Sequence, residues 1–85
     1  MRIQTNSLFN RQYRKLPKSL KEKAKEREVL FREDPFHPLL NTHKLHGKDK
    51  EFWAFYIDYK NRIKFIFLEK DTVLFMEIGD HNIYK

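Results

Sequence analysis

The sequence contains no cysteine, so neither a disulfide framework nor a thiolate metal site can hold its fold together. It also has no apolar run long enough to cross a bilayer, and its first residues lack the continuous apolar block of a signal peptide. The absence of cysteine fits a reducing cytosol. We therefore expect a soluble cytoplasmic protein with no membrane partner.

Glycine and serine are scarce as well, and their scarcity excludes some classes of reaction. The two glycines, Gly47 and Gly79, cannot form a Gly-rich phosphate loop, which excludes nucleoside-triphosphate chemistry. The two serines, Ser7 and Ser19, lie where helices are expected to start, and helix capping accounts for both. This composition argues against a nucleophilic hydrolase, and we expect neither a cofactor nor a small-molecule ligand.

The length of 85 residues predicts a single small domain, residues 1–85, with a modest core. Eight Phe, four Tyr and one Trp partly compensate, because each aromatic side chain buries a large area.

The formal net charge of +6 is unevenly distributed. Residues 11–32 carry most of the excess positive charge and only three acidic residues. Such a surface suits a polyanion, whether RNA, DNA or an acidic protein segment. A solvated helix face that keeps the protein soluble would show the same pattern, so charge alone leaves both interpretations open.

The chain order predicts a strand, two helices and then three strands. Residues 2–5 form a short candidate strand, and Asn6 or Ser7 can cap a first helix. Pro17 separates this helix from a second one at about residues 18–33, with Ser19 as a possible cap inside the turn that opens it. Residues 36–50 are predicted to be a loop.

The last third of the sequence reads as three β-strands joined by turns at residues 59–61 and 70–71. In the middle strand Ile63 and Phe65 fall on one side, whereas Arg62 and Lys64 fall on the other. We therefore predict an α+β fold in which a two-helix hairpin covers one face of an antiparallel sheet of three to four strands. Trp53 and Phe55 share one face of the first of these strands, where a core role is favoured over base stacking.

Three of the four histidines, His37, His43 and His46, lie within ten residues of one another. Their spacing in a proline-containing loop matches no common zinc pattern, and no cysteine accompanies them. We predict no metal site.

Cleavage of RNA remains compatible with this composition. Attack of a 2′-OH on the adjacent phosphate needs a base, positive charge for the phosphorane and an acid for the leaving oxygen. Arg62 on the middle strand and His81 after the last strand are candidates, although each could instead be an exposed salt-bridge residue or a turn residue. Tyr84 can either stack on a base or anchor the C-terminus.

The pattern of these residues resembles the RelE/ParE toxin superfamily. It comprises an N-terminal strand, a helical hairpin, a His-x-Leu-x-Gly loop beginning at His43, a Trp-containing strand, an Arg-Ile strand beginning at Arg62 and a terminal Gly-x-His-x-x-Tyr ending at Tyr84. The resemblance covers nearly the whole chain, and it is greatest to the YoeB- and YafQ-like mRNA interferases.

The resemblance implies a toxin of a type II toxin–antitoxin system, a ribosome-dependent endoribonuclease that cuts mRNA and is silenced by a cognate antitoxin. By this resemblance Arg62 contacts the scissile phosphate, His81 acts as the acid, His43 is the base and Tyr84 positions a nucleobase. YoeB-like toxins carry a basic residue shortly after the tryptophan where this chain has Ala54, Phe55 and Tyr56, and Lys64 is expected to supply that charge.

The basic helices are expected to contact ribosomal RNA. The residues assigned to RNA binding are Lys64, Lys15, Lys18, Lys21 and Lys25. Two other functions stay open: a ParE-like toxin that inhibits DNA gyrase, and a catalytically inactive relative that binds RNA.

Overall fold

The computed structural model describes residues 1–80 and 83, apart from the side chain of Asp49. In this part of the chain the strands are β1 (Arg2–Thr5), β2 (His43–Lys44), β3 (Trp53–Tyr56), β4 (Arg62–Glu69) and β5 (Thr72–Gly79). The helices are α1 (Ser7–Arg14) and α2 (Lys18–Glu33), and short 3₁₀ turns occupy Pro38–Leu40 and Gly47–Asp49. This arrangement confirms the predicted α+β class with a helical hairpin.

The sheet has one strand more than the maximum expected, in the order β1-β5-β4-β3-β2. It is also mixed rather than antiparallel throughout, because β1 pairs with β5 in parallel. A parallel pair needs a long crossover, and the helical hairpin and the following strands supply it. The additional strand, β2, lies in the segment predicted to be a loop, and its two residues are too few to show a strand periodicity.

A side-chain cap marks the start of α1, whereas α2 starts without one. The side-chain Oδ1 of Asn6 accepts a hydrogen bond from the backbone N–H of Phe9 at 2.8 Å, as expected of an N-cap. In α2 the N-cap is Pro17, and no side chain caps the helix, so the suggested capping role of Ser19 is not realised. Proline suits this position because its fixed φ allows the chain to enter the helix.

A cluster of aromatic rings joins the helical layer to the sheet. Phe31 of α2 is fully buried and stacks on Phe55 with a ring-centroid distance of 4.7 Å. It also meets Phe65 edge-on at 5.0 Å and Phe75 at 5.5 Å. The helices therefore cover the sheet face that carries Phe55, Phe65 and Phe75, as the alternation in β4 predicts, and neither α1 nor α2 covers the opposite face.

No helix in the described part of the chain is both long and apolar enough to cross a membrane.

Candidate functional site

The candidate site lies on the sheet face that the helices leave uncovered, called the open face below. In the register of β3 and β4, Tyr56 pairs with Arg62 and Ala54 pairs with Lys64. Their neighbours Phe55, Ile63 and Phe65 are buried beneath the helices. Because successive side chains of a strand point to opposite faces, Tyr56, Arg62 and Lys64 belong to the open face.

Arg62 is held against the ring of Tyr56. Its guanidinium carbon lies 4.4 Å from the centroid of that ring, and its Nη2 donates a hydrogen bond to the backbone carbonyl of Tyr59 at 3.3 Å. A guanidinium over an aromatic face is typically stabilised by about 0.5–2 kcal/mol. The two contacts restrict the rotamers of Arg62 before any ligand binds, which reduces the entropic cost of holding a phosphate.

His43 lies on β2, and its ring also contacts the ring of Tyr56. It pairs with Ala54 across the sheet, and its ring centroid is 5.8 Å from that of Tyr56. The Nδ1 atom of His43 lies 2.9 Å from the backbone carbonyl oxygen of Asn41. A carbonyl oxygen only accepts, so Nδ1 carries the proton, and in the neutral ring Nε2 presents a lone pair. That tautomer is the one that a general base acting through Nε2 needs.

Asn41 has an unusual backbone that fixes this carbonyl. Its φ of 48° and ψ of 44° place it in the left-handed region, directly after the 3₁₀ turn Pro38–Leu40. Asparagine adopts this region more readily than most residues do. The turn therefore places the Asn41 carbonyl next to the imidazole two residues later in the chain.

Lys64 lies on the open face with Arg62, but its environment is different. The side chain forms an ion pair with Glu77 of β5 at 3.2 Å and lies 4.8 Å from the ring centroid of Phe52. Only 7% of the residue is exposed. Its charge is therefore balanced within the sheet, and Arg62 is the more accessible cation of β4.

The turn that connects β3 to β4 is organised by Asp58. Its Oδ1 accepts hydrogen bonds from the backbone N–H groups of Lys60 at 2.9 Å and Asn61 at 2.6 Å. Burial alone would raise the pKa of Asp58, but the hydrogen bonds from Asn61 and Lys60, together with the charge of Lys23, outweigh burial and hold the pKa below its ordinary value. The ionised carboxylate thus fixes the turn whose last residue precedes Arg62.

Within the described residues, no cluster of three or more His, Cys, Asp or Glu is positioned to bind a metal ion. In particular, the Nδ1 atom of His37 accepts the backbone N–H of Leu39 at 3.1 Å, which is a local turn interaction.

No protein-family model and no curated protein sequence matches the chain. Solved structures, in contrast, match it over nearly its full length. The YoeB/ParE toxin from Agrobacterium tumefaciens superposes with a TM-score of 0.79 at 15% identity, covering 95% of this chain and 99% of that one. The chain has the RelE/ParE toxin fold.

Two further structures with this fold support the same conclusion. The E. coli DinJ–YafQ toxin–antitoxin complex gives a TM-score of 0.76 at 18% identity, covering 95% of this chain and 92% of the matched one. The archaeal RelE–RelB complex from Pyrococcus horikoshii gives 0.74 at 15% identity, covering 93% and 92%. The predicted resemblance to the RelE/ParE superfamily is thereby confirmed at the level of the fold.

The RelE/ParE fold brings only some of the sequence-predicted site residues together. His43 and Arg62 share the open face and both contact Tyr56. His81 and Tyr84 lie outside the described residues, so their predicted roles stay predictions.

The lysines assigned to RNA binding on the helices occupy a different part of the RelE/ParE fold. Lys15, Lys18 and Lys25 are exposed, and Lys21 is half-buried with its Nζ atom 5.9 Å from the ring centroid of Tyr13. The helices that carry them cover the face opposite to Arg62. The fold does not bring these lysines to the open face, and any contact they make with RNA would be separate from the phosphate site.

Tyr56 and Asp58 were missed by the sequence analysis as parts of the site. Tyr56 was considered only as a position lacking positive charge, yet its ring is what His43 and Arg62 share. The predicted turn at residues 59–61 could not reveal this pair, because Tyr56 lies three residues before the turn and Arg62 only one residue after it, whereas the structure pairs the two directly.

Proposed function

We propose that this protein is the toxin of a type II toxin–antitoxin system and that it cleaves mRNA on the ribosome. The observation that carries the proposal is the convergence of His43 and Arg62 on one tyrosine ring on the open face of the sheet. One of these residues offers a proton acceptor, and the other offers a fixed positive charge. Similarity to structures of toxins, including one solved with its antitoxin, supports the assignment.

The reaction that suits this pair is internal transesterification of RNA. The neutral imidazole of His43 takes the proton from the 2′-OH through Nε2, and the oxygen forms a bond to the adjacent phosphorus. Arg62 stabilises the additional negative charge of the phosphorane. The bond from phosphorus to the 5′-oxygen then breaks, which leaves a 2′,3′-cyclic phosphate and, once protonated, a free 5′-OH.

We assign the protonation of the leaving oxygen to His81 and the positioning of a nucleobase to Tyr84, on the basis of the sequence. The end of β5 supports these roles, because Gly79 pairs directly with Arg62. His81 follows Gly79 by two residues, and two residues of fully extended chain span about 7 Å. His81 is therefore only two residues along the chain from the strand position that pairs with Arg62.

The reaction requires no metal and no cofactor, because His and Arg side chains supply every proton transfer and charge that it needs. The partners we propose are mRNA, the ribosome and a cognate antitoxin, all in the cytoplasm. Exposed Lys15, Lys18 and Lys25, together with Lys21, form the basic helical surface proposed to contact ribosomal RNA.

Primer extension on mRNA from cells that express the protein tests this function. We expect cuts inside translated codons, and we expect Arg62→Ala to abolish them. DNA damage with intact mRNA would instead identify a ParE-like gyrase inhibitor. Salt-sensitive binding to ribosomes without any cleavage would identify an inactive RNA-binding relative.

A further inference from the structure

The edge of β5 that faces β1 has different partners in its two halves. β1 pairs with β5 from Thr72 to Phe75, and where this ladder ends the backbone N–H of Asn6 donates to the Phe75 carbonyl at 3.3 Å. Beyond Phe75, the side-chain Oε1 of Gln12 on α1 accepts a hydrogen bond from the backbone N–H of Ile78 at 2.8 Å. A side chain of the helical layer therefore takes the place of a strand partner at the end of β5.

The bond from Ile78 to Gln12 lies just after a β-bulge. In the register with β4, Phe75 pairs with Phe65. Glu77, two residues after Phe75, pairs with the residue directly before Phe65. One residue of β5, Met76, is therefore additional to the register, which is the arrangement of a bulge.

The bulge decides which residues of β5 lie on the open face. Phe75 and Ile78 are both buried in the core, although a regular strand would place residues three positions apart on opposite faces. Gly79 consequently belongs to the open face, where it pairs with Arg62. A bulge disrupts the ladder locally, so the end of β5 depends on other contacts to keep this register. The bond to Gln12 is such a contact.

The C-terminal part of the chain packs on the same end of β5. Ile83 is buried, and its backbone N–H donates to the carbonyl of Asp80 at 3.1 Å. A Cβ atom added at Gly79 would lie 3.0 Å from the Cγ2 atom of Ile83, closer than an ordinary van der Waals contact. Because directly paired residues point to the same face, Ile83 packs on the open face at the position that pairs with Arg62. The register of β5 thus sets where Ile83 meets the sheet.

We propose that Gln12 is a positioning residue for the phosphate site. Its amide oxygen holds the bulged end of β5, so that Gly79 stays opposite Arg62 and leaves the space that Ile83 occupies. Gln12 reaches β5 from the helical layer, on the other side of the sheet from Arg62, and therefore acts through the strand rather than on RNA. The proposal rests on the proposed function only for its effect on cleavage, because the contact itself belongs to the fold.

Amide hydrogen exchange, measured by NMR on the isotope-labelled full-length protein, tests the contact directly. Gln12→Met keeps the length of the side chain but removes the acceptor. We expect exchange of the Ile78 amide to become about tenfold faster or more, because a part-buried donor loses its partner. The Val73 amide, in the half of β5 that pairs with β1, should exchange as in the wild type. The side-chain Nε–H resonance of Arg62 should shift, because the strand beside it is no longer held.

Single-turnover cleavage of mRNA on purified ribosomes measures the consequence for the phosphate site. Gln12→Met should lower the maximal rate by about 10- to 100-fold, the scale of a misplaced reacting group, with little change in the ribosome concentration at half-maximal rate. A merely structural role would lower the free energy of unfolding, measured in urea, and leave the maximal rate of the folded protein unchanged.

Two further variants serve as rescue and control. Gln12→Glu supplies an acceptor of the same length, so it should restore both the exchange of the Ile78 amide and the rate of cleavage. Asn10→Leu removes an exposed amide from the same helix and should behave like the wild type in both measurements. Gln12→Asn, whose amide is one methylene shorter, replaces Gln12→Met if that variant does not fold.

The outcomes separate the positioning role from the nuclease function. Wild-type exchange of the Ile78 amide in Gln12→Met would overturn the proposal, and so would faster exchange with an unchanged maximal rate. If the wild type does not cleave mRNA, the nuclease function fails and the Nε–H resonance of Arg62 decides instead. A shift of that resonance in Gln12→Met, reversed in Gln12→Glu, would then support the positioning role, and an unchanged resonance would overturn it.

Discussion

The guanidinium of Arg62 lies 4.4 Å from the ring centroid of Tyr56, which is its partner across the β3–β4 hairpin. Each residue is the first or last of its strand, so the contact forms where the hairpin turn meets the sheet. His43 approaches the same ring from β2. The ring therefore sets the positions of both groups to which we assign chemistry.

Arg62→Ala should reduce the rate of mRNA cleavage by about 10²–10³, the range seen when one donor to a developing oxyanion is removed. Arg62→Lys should recover only part of that loss, because an ammonium lacks the planar guanidinium that stacks on Tyr56. The measurement is single-turnover cleavage on purified ribosomes. Lys60→Ala removes an exposed cation in the adjoining turn and serves as the control, with a near-wild-type rate expected. An active Arg62→Ala protein would eliminate Arg62 from the mechanism.

Tyr56→Phe and Tyr56→Leu distinguish the ring of Tyr56 from its hydroxyl. Phenylalanine keeps the aromatic face under Arg62, so this variant should remain close to wild type. Leucine removes that face, and we expect cleavage to fall by about 2- to 30-fold, the rate equivalent of 0.5–2 kcal/mol. A positioning role predicts that kcat falls more than KM rises. Equal losses in the two variants would instead assign importance to the hydroxyl.

His43→Gln should lower cleavage by about 10²–10⁴, the usual contribution of a positioned general base. The amide of glutamine can still donate to the Asn41 carbonyl but cannot accept a proton from a 2′-OH at a useful rate. Binding of RNA to the ribosome-bound variant should be unchanged, which a competition assay with uncleavable 2′-deoxy substrate measures. His46→Gln, three residues along the same exposed segment, is the comparison expected to cleave normally.

Comparison of sequence and structure shows which features local patterns can reveal. Alternation along β4 correctly predicted that Ile63 and Phe65 face the helices and that Arg62 and Lys64 face away. The alternation could not reveal that Lys64 is paired with Glu77, because this ion pair depends on the register between β4 and β5. That register includes an irregularity between Lys64 and Phe65, which strand periodicity does not encode.

The tautomer of His43 could not be predicted from the sequence either. It depends on the left-handed backbone of Asn41, and the surrounding segment has neither helical nor strand periodicity. The parallel pairing of β1 with β5 joins the two ends of the chain, so no local pattern could indicate it. The helical hairpin, in contrast, was predictable because Pro17 and the pair Asp34-Pro35 mark its boundaries in the sequence itself.

The carboxylate of Asp58, in the turn before Arg62, should make the free energy of unfolding depend on pH. Because the folded-state pKa of Asp58 is lowered, its contribution to the free energy of unfolding is present above the unfolded-state pKa and is lost as pH falls through the folded-state value. Asp58→Ala removes the acceptor for two backbone N–H groups, and we expect a loss of about 1–2 kcal/mol near neutral pH. The difference between wild type and variant should shrink below the ordinary aspartate pKa of 3.8. Urea unfolding of both proteins near pH 7 and again near pH 3 gives the difference in their free energies of unfolding at each pH. A difference that stays constant across this range would show that the charge of Asp58 does not stabilise the turn.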